Sequence, residues 1–217
     1  MIKNLLIDLD GTLTDPKVGI TTCARYGLNK VGHPIDETEN IDWIIGPPLK
    51  ASLAKLLNVA ADDDLAEQAL LGYRERFASI GLYENEVFDD VAETLAALQQ
   101  QGYRLYLATA KPIIYAEKIL IHFDLAQYFN QAYGSELSGV RTNKGELIRY
   151  ILEQEQLDPA ECLMVGDREH DILGARVNQI ETVAVEYGYG RAAELDHAQP
   201  KYRIGTFSAL LQLLQQT

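Results

Sequence analysis

Six side chains have the types and spacing to do chemistry, and each lies where an apolar run ends or a helical pattern begins: Asp8, Asp10, Thr109, Lys144, Asp167 and Asp171. The first two belong to Asp8-Leu9-Asp10-Gly11-Thr12-Leu13-Thr14. Residues two apart on an extended chain face the same side. Both carboxylates can therefore be turned toward one reacting atom, where one attacks and the other moves a proton. Gly11 lets the chain leave the strand sharply. Acids straight after a buried apolar run are costly unless paired or bound to metal. Taken alone, this pattern is equally an acidic turn closing a strand.

Thr109 follows the run Leu105-Tyr106-Leu107-Ala108 and precedes Ala110-Lys111-Pro112. A hydroxyl at a strand end beside a helix start can hydrogen-bond a phosphate oxygen, and the helix amides and dipole add to that. On its own it is also an ordinary N-cap threonine. Lys144, in Thr142-Asn143-Lys144-Gly145, opens a helical pattern. A cation there opposes the helix dipole unless it neutralises a phosphate or a carboxylate cluster; most lysines are simply solvated. In Leu163-Met164-Val165-Gly166-Asp167-Arg168-Glu169-His170-Asp171, an apolar strand again ends in Gly-Asp, with another Asp four residues on. Asp167 and Asp171 can share one side of a first helical turn, although acids there also serve as plain caps. With Asp8 they make an oxygen site of few carboxylates, which suits Mg2+ because that ion keeps several waters.

The elements that must position these groups follow from periodicity. Ile2 to Leu9 is expected as a short buried strand. Segments 18–31, 48–58 and 64–80 have helical spacing, punctuated by Pro34, Gly46, Pro47 and Pro48. From Asp89 onward, helices and strands alternate. Helices are expected at Val91–Gln101, from Pro112 to Phe123, at Lys144–Glu155, at Asp171–Asn178 and at Phe207–Gln216. Strands are expected at Arg104–Thr109, Tyr128–Tyr133, Cys162–Val165, Glu181–Val185 and Tyr202–Ile204. Repeated strand–helix units imply an α/β fold, a parallel sheet with helices on both faces. Ligands of such sheets gather at the carboxyl ends of the strands, where all six residues fall.

Composition narrows the function. The net charge of the 217 residues is −13. That opposes binding of a nucleic-acid polymer, which depends on Lys and Arg, and of an anionic membrane surface. A small anionic substrate is still compatible, because a metal and one or two local cations reverse the field inside a pocket. Two cysteines, Cys23 and Cys162, do not make a disulfide scaffold. The N-terminal run is short and broken by Asp8 and Asp10, unlike a signal peptide. No apolar stretch nears the ~20 residues of a membrane span. A cytoplasmic protein, monomer or homodimer, is expected.

The order Asp-x-Asp-Gly-Thr, then Thr, then Lys, then Gly-Asp-x-x-x-Asp resembles the four signature motifs of the haloacid dehalogenase superfamily, over essentially the whole chain. The resemblance implies a Rossmann-like catalytic core from 1–14 and 86–217, and an all-helical cap inserted at 15–85. It implies a phosphoric monoester hydrolase that uses Mg2+ on a small-molecule phosphate ester. The dehalogenases themselves lack the second aspartate of the first motif, so Asp10 points to phosphate chemistry. By resemblance, Asp8 is the nucleophile and Asp10 the acid and base. Thr109, Ala110 and Lys144 hold the phosphoryl group. Asp8, the Asp10 backbone carbonyl and Asp167 hold the metal, with Asp171 supporting them.

A closer likeness is to the phosphoglycolate-phosphatase-like branch, and within it to a bacterial 5'-nucleotidase-like group, carried by Gly46-Pro47-Pro48-Leu49, Tyr73-Arg74-Glu75-Arg76-Phe77, Gly81-Leu82-Tyr83-Glu84-Asn85, Ala108-Thr109-Ala110-Lys111-Pro112 and Gly166-Asp167-Arg168-Glu169-His170-Asp171. The substrate implied is phosphoglycolate or a nucleoside 5'-monophosphate. Selection is expected in the cap, with Gly46, Arg74 and Arg76 as substrate-binding candidates. Arg25 and Lys50 are further cations there, and Trp43 and Tyr83 are aromatic surfaces for a base. Each cation is equally a solvated charge, and each ring equally core. Lys111 can reach the pocket mouth; His170 sits in the last motif. Alternatives on the same core are a phosphosugar mutase and a non-catalytic regulatory binding protein.

Overall fold

The computed structural model describes residues 1–216. The chain divides into two compact units, Met1–Asp15 with Val87–Thr217, and Pro16–Glu86. The first unit is built on six strands: β1 (Asn4–Ile7), then, with numbers reserved for the short pair β2 (Thr14–Asp15) and β3 (Glu86–Val87), β4 (Arg104–Pro112), β5 (Gln131–Ser135), β6 (Cys162–Gly166), β7 (Glu181–Val185) and β8 (Tyr202–Ile204). Their order is β5-β4-β1-β6-β7-β8, and the pairings are parallel. The chain moves outward from β1 through β4 to β5, then returns to β6 on the other side. β1 therefore borders the point where strand order reverses, the place where open parallel sheets bind ligands.

The strands are continuous apolar runs because they are covered on both faces. Leu5, Leu6, Ile7, Leu105, Leu107, Met164, Val165, Val183 and Val185 are all buried. The helices of this unit are α4 (Val91–Gln100), α5 (Ile113–His122), α6 (Lys144–Glu155), α7 (Glu169–Val177), α8 (Ala192–Ala198) and α9 (Ala209–Leu214). One core layer joins Leu147, Ile148 and Ile151 of α6 and Ala175 of α7 to Leu6, Tyr106 and Met164 of the sheet.

Several boundaries differ from the sequence expectation, each for a local reason. The strand expected at 128–133 begins only at Gln131, since Ala126–Tyr128 form a single 3-10 turn. The Asn130 side chain occupies the Leu105 amide just before pairing starts. Pro112 remains extended at the end of β4, so α5 starts one residue later. The last-motif helix starts at Glu169 rather than Asp171, because Asp171 is a capping residue: its Oδ2 accepts from the Arg168 amide at 3.1 Å. Helix α8, seven residues long, has too short an apolar pattern to be expected from periodicity.

The second unit contains α1 (Lys17–Lys30), α2 (Leu49–Leu57) and α3 (Asp64–Arg76), the last continuing into a π turn over Phe77–Gly81. Glycines let α1 and α3 approach closely. A Cβ on Gly27 would lie 2.3 Å from the Ala69 carbonyl oxygen, and one on Gly72 would lie 3.0 Å from the Gly27 Cα. Tyr73 and Phe77 stack at 5.0 Å within the same core. Among the described residues no helix is long and apolar enough to cross a membrane.

This crossing yields a stability test in which two effects have opposite sign. Gly27→Ala gains about 1 kcal/mol of helix propensity but drives a methyl group into backbone. The overlap wins, with a net loss of about 1–3 kcal/mol and a lower first unfolding midpoint by circular dichroism. An unchanged or raised midpoint would contradict the close crossing.

Candidate active site

Sheet register brings the sequence motifs to one level. Ile7 pairs with Leu107 on one side and with Val165 on the other. Asp8, Thr109 and Asp167 therefore leave their strands at the same carboxyl edge. Asp8 is held as it leaves: its amide donates to the Val165 carbonyl at 2.9 Å, and its Oδ1 accepts from the Leu9 amide at 2.8 Å. The chain then coils back on itself, with the amides of Leu13 and Thr14 both donating to the Leu9 carbonyl. Gly11, at φ +82°, has no room for a side chain, since a Cβ would lie 2.2 Å from Asp167 Oδ2.

Four carboxylates and two ammonium groups are buried together here: Asp8, Asp10, Asp167 and Asp171 with Lys111 and Lys144. Lys144 Nζ lies 2.7 Å from Asp171 Oδ1 and 3.2 Å from Asp8 Oδ2, and donates to the Ala108 carbonyl at 2.8 Å. Its place at the start of α6, against the helix dipole, is thus compensated by two carboxylates. Asn143 supplies the cap instead, accepting from the Glu146 amide. Lys111 Nζ pairs with Asp10 Oδ2 at 2.7 Å. Arg168 is matched by Glu194 at 2.8 Å. With every carboxylate ionised, the two lysines leave two negative charges uncompensated.

The protonation equilibria register that imbalance. Burial above all lifts Asp167 well above the usual carboxylate range, and Asp171 and Asp8 push it the same way. Asp171 is pushed up to about 6, first by burial, with Asp8 adding and Lys144 opposing. Burial also raises Asp10, against the pull of Lys111. For Lys144, burial works downward, but Asp171 and Asp8 outweigh it and the ammonium is held above its ordinary range.

A divalent cation fits this set. One oxygen from each of Asp8, Asp167 and Asp171 can be chosen so that all lie within 4.8 Å of one another. Asp167 Oδ1 is buried and has no hydrogen-bond partner among the described residues, while its Oδ2 accepts from the Tyr189 amide at 2.7 Å. An oxygen-only donor set with two surplus negative charges suits a hard ion. The Asp10 side chain lies outside this cluster, on Lys111.

Thr109 is buried at the end of β4, where the pairing with β5 shifts register between Thr109 and Pro112. Its Oγ1 accepts from the Lys111 amide at 3.2 Å, which leaves its own hydroxyl proton to donate. Ala110 lies in the same bulge, its carbonyl accepting from Ser135 Oγ at 2.8 Å. His170 lies on the first turn of α7; burial first, then Arg168, lowers its pKa and keeps it neutral.

Residues of the helical unit are engaged within that unit. Arg76 makes a bidentate pair with Glu84 at 2.6 and 2.8 Å. Arg25 donates to the carbonyls of Asp36 and Glu39, and Lys50 pairs with Glu67 at 2.7 Å. Lys55 lies over the Trp43 ring at 4.6 Å. Arg74 acts on Glu67, and Gly46 adopts φ +100° just before Pro47. Tyr83 is exposed.

Sequence reasoning overlooked one segment of the site, Tyr187-Gly188-Tyr189-Gly190. Its backbone lies directly on the last motif: a Cβ on Gly190 would be 1.9 Å from the Asp167 carbonyl oxygen, and one on Gly188 would be 2.4 Å from Asp167 Cβ. Tyr187 donates to the Thr12 carbonyl at 2.7 Å, and the Tyr189 hydroxyl contacts Asp15. The available signal was the alternation of Tyr and Gly straight after a buried parallel strand.

Known proteins resemble this chain over most of its length. The profile of the haloacid dehalogenase-like hydrolases matches residues 5–185. A 5'-nucleotidase of Pseudomonas aeruginosa is 44% identical over 212 residues, 98% of this chain and 95% of that protein. A Mycobacterium tuberculosis protein named tyrosine-protein kinase PtkA is 38% identical over 88% of this chain and 65% of its own length. Among solved structures, a predicted phosphatase from Clostridium acetobutylicum superposes with a TM-score of 0.95 at 35% identity, covering 100% of both chains.

Removing the shared cation should expose the charge balance. Lys144→Met leaves Asp8 and Asp171 buried without their partner, a loss of about 3–5 kcal/mol. Adding Asp171→Asn removes one uncompensated charge and should recover at least half of the fall in melting temperature. A single variant that melts with the wild type would show that Lys144 does not balance these carboxylates.

Proposed function

This chain belongs to the haloacid dehalogenase-like hydrolases, and on that premise we propose that it hydrolyses a small phosphorylated metabolite, a nucleoside 5'-monophosphate or phosphoglycolate, through an aspartyl-phosphate on Asp8. The coarser statement stands on the family and its relatives: the chain is a phosphoric monoester hydrolase. One observation carries the finer reading. Two carboxylates of a single turn are pinned to different cations, Asp8 to Lys144 and Asp10 to Lys111, so they are equipped for different tasks.

In the first step, an Asp8 oxygen bonds to phosphorus as the bond from phosphorus to the leaving oxygen breaks. Asp10 gives its proton to that oxygen. In the second step, water bonds to phosphorus, its proton passes to Asp10, and Asp8 departs as a carboxylate. The Thr109 hydroxyl, the Ala110 amide and Lys144 stabilise the phosphoryl oxygens throughout. Asp8, Asp167 and Asp171, with the Asp10 backbone carbonyl, are the residues that would hold Mg2+. When bound, that ion supplies positive charge that lowers the repulsion between Asp8 and an anionic ester.

Selection of the leaving group is assigned to the helical insertion, with Gly46, Arg74 and Arg76 as candidates. The relative named 5'-nucleotidase supports a nucleoside monophosphate. The relative named a tyrosine kinase favours a second reading, in which the phosphoryl group passes to an acceptor other than water. Release of free phosphate, without phosphorylated acceptor, separates the two.

The test is phosphate release from nucleoside monophosphates, phosphoglycolate and sugar phosphates. We expect turnover with Mg2+, none after exhaustive chelation, and poor support by Ca2+, which takes more ligands at longer distances. Full activity after chelation would overturn the metal assignment. No phosphate from any ester would overturn the hydrolase reading.

A further inference from the structure

We propose that Lys111 is the positioning residue that decides which oxygen of Asp10 exchanges the proton: it holds Oδ2 and leaves Oδ1 for the leaving group. The two oxygens are not equivalent. Oδ2 is 2.7 Å from Lys111 Nζ, with both side chains nearly inaccessible to water. Oδ1 is buried and has no hydrogen-bond partner among the described residues. An oxygen that accepts a charge-assisted bond from an ammonium cannot also carry the carboxylic proton along that direction. Oδ1 is therefore the oxygen left to exchange a proton, and the lysine keeps the carboxyl from rotating the wrong oxygen into place.

Lys111 is itself fixed from several sides. Its amide donates to Thr109 Oγ1 at 3.2 Å, and the neighbouring Ala110 carbonyl accepts from Ser135 Oγ at 2.8 Å. Gly134 of β5 approaches so closely that a Cβ there would lie 2.6 Å from the Lys111 carbonyl oxygen. The β4 bulge that turns Thr109 to the site thus also aims Lys111 at Asp10. Phosphate binding and proton donation are set by one stretch of backbone.

This inference rests on Asp10 being the general acid, and the test separates the two. kcat/KM is measured on dinitrophenyl, nitrophenyl and phenyl phosphates, whose leaving groups need progressively more help from an acid. Asp10→Asn is the reference: it should lose about 10²-fold or more on phenyl phosphate and far less on dinitrophenyl phosphate. If it loses equally on all three, the role of Asp10 itself is wrong. Given the graded loss for Asp10→Asn, Lys111→Met is expected to show the same grading. The double variant, which buries no unpaired charge, should be no slower than Asp10→Asn on any ester, because a residue acting only through Asp10 has nothing left to act on. A uniform loss in Lys111→Met, or a double variant slower than Asp10→Asn, would overturn the proposal and make Lys111 a contact to the common phosphoryl group or a support of the fold. No loss in Lys111→Met would overturn it as well.

Discussion

Four buried carboxylates held against two buried ammonium groups are the constraint from which the rest of this structure follows. Gathering like charges out of water is unfavourable, and a protein sustains it only with excellent geometry and compensating charge. Lys144 spans Asp8 and Asp171, Lys111 engages Asp10, and Asp167 retains a buried oxygen lacking a hydrogen-bond partner among the described residues. The surplus of negative charge is what makes the set suitable for a hard divalent cation.

The parallel sheet is what makes that concentration of charge possible. Its apolar strands are rigid, in register and covered on both faces, so their carboxyl ends deliver side chains to fixed positions. The glycines at 11, 188 and 190 then allow two backbone segments, the turn after β1 and the loop at 187–190, to converge on Asp167 where any side chain would collide. Helix α7 contributes through its cap, with Asp171 serving both the Arg168 amide and Lys144. Fold and site are therefore supported by the same contacts, and a change at one is felt at the other.

Much of this was legible in the sequence, because the site is built from short motifs that straddle strand ends. Asp8, Asp10, Thr109, Lys144, Asp167 and Asp171 could be picked out since each breaks an apolar pattern with a polar group. Lys144 was informative because its charge conflicts with the helix it opens. Lys111 was harder: its significance depends on a bulge in β4, and a bulge leaves no periodic signature. The loop at 187–190 was harder for a different reason: its alternation of Tyr and Gly does not say that its backbone packs on Asp167. Helix α7 starts two residues ahead of the expected Asp171, because Asp171 caps it from the third helical position, which periodicity does not mark. In the helical unit, Arg76 stood out as a cation, and its bidentate pairing with Glu84 is one that hydrophobic periodicity cannot reveal.

The central claim is that Asp8 carries the phosphoryl group between two displacements. It is tested most directly by the stereochemistry at phosphorus, using an ester made chiral there with oxygen isotopes. Two successive in-line displacements, by Asp8 and then by water, predict phosphate of retained configuration. Inversion would mean that water attacks the ester directly, and would contradict the assignment of Asp8 as nucleophile.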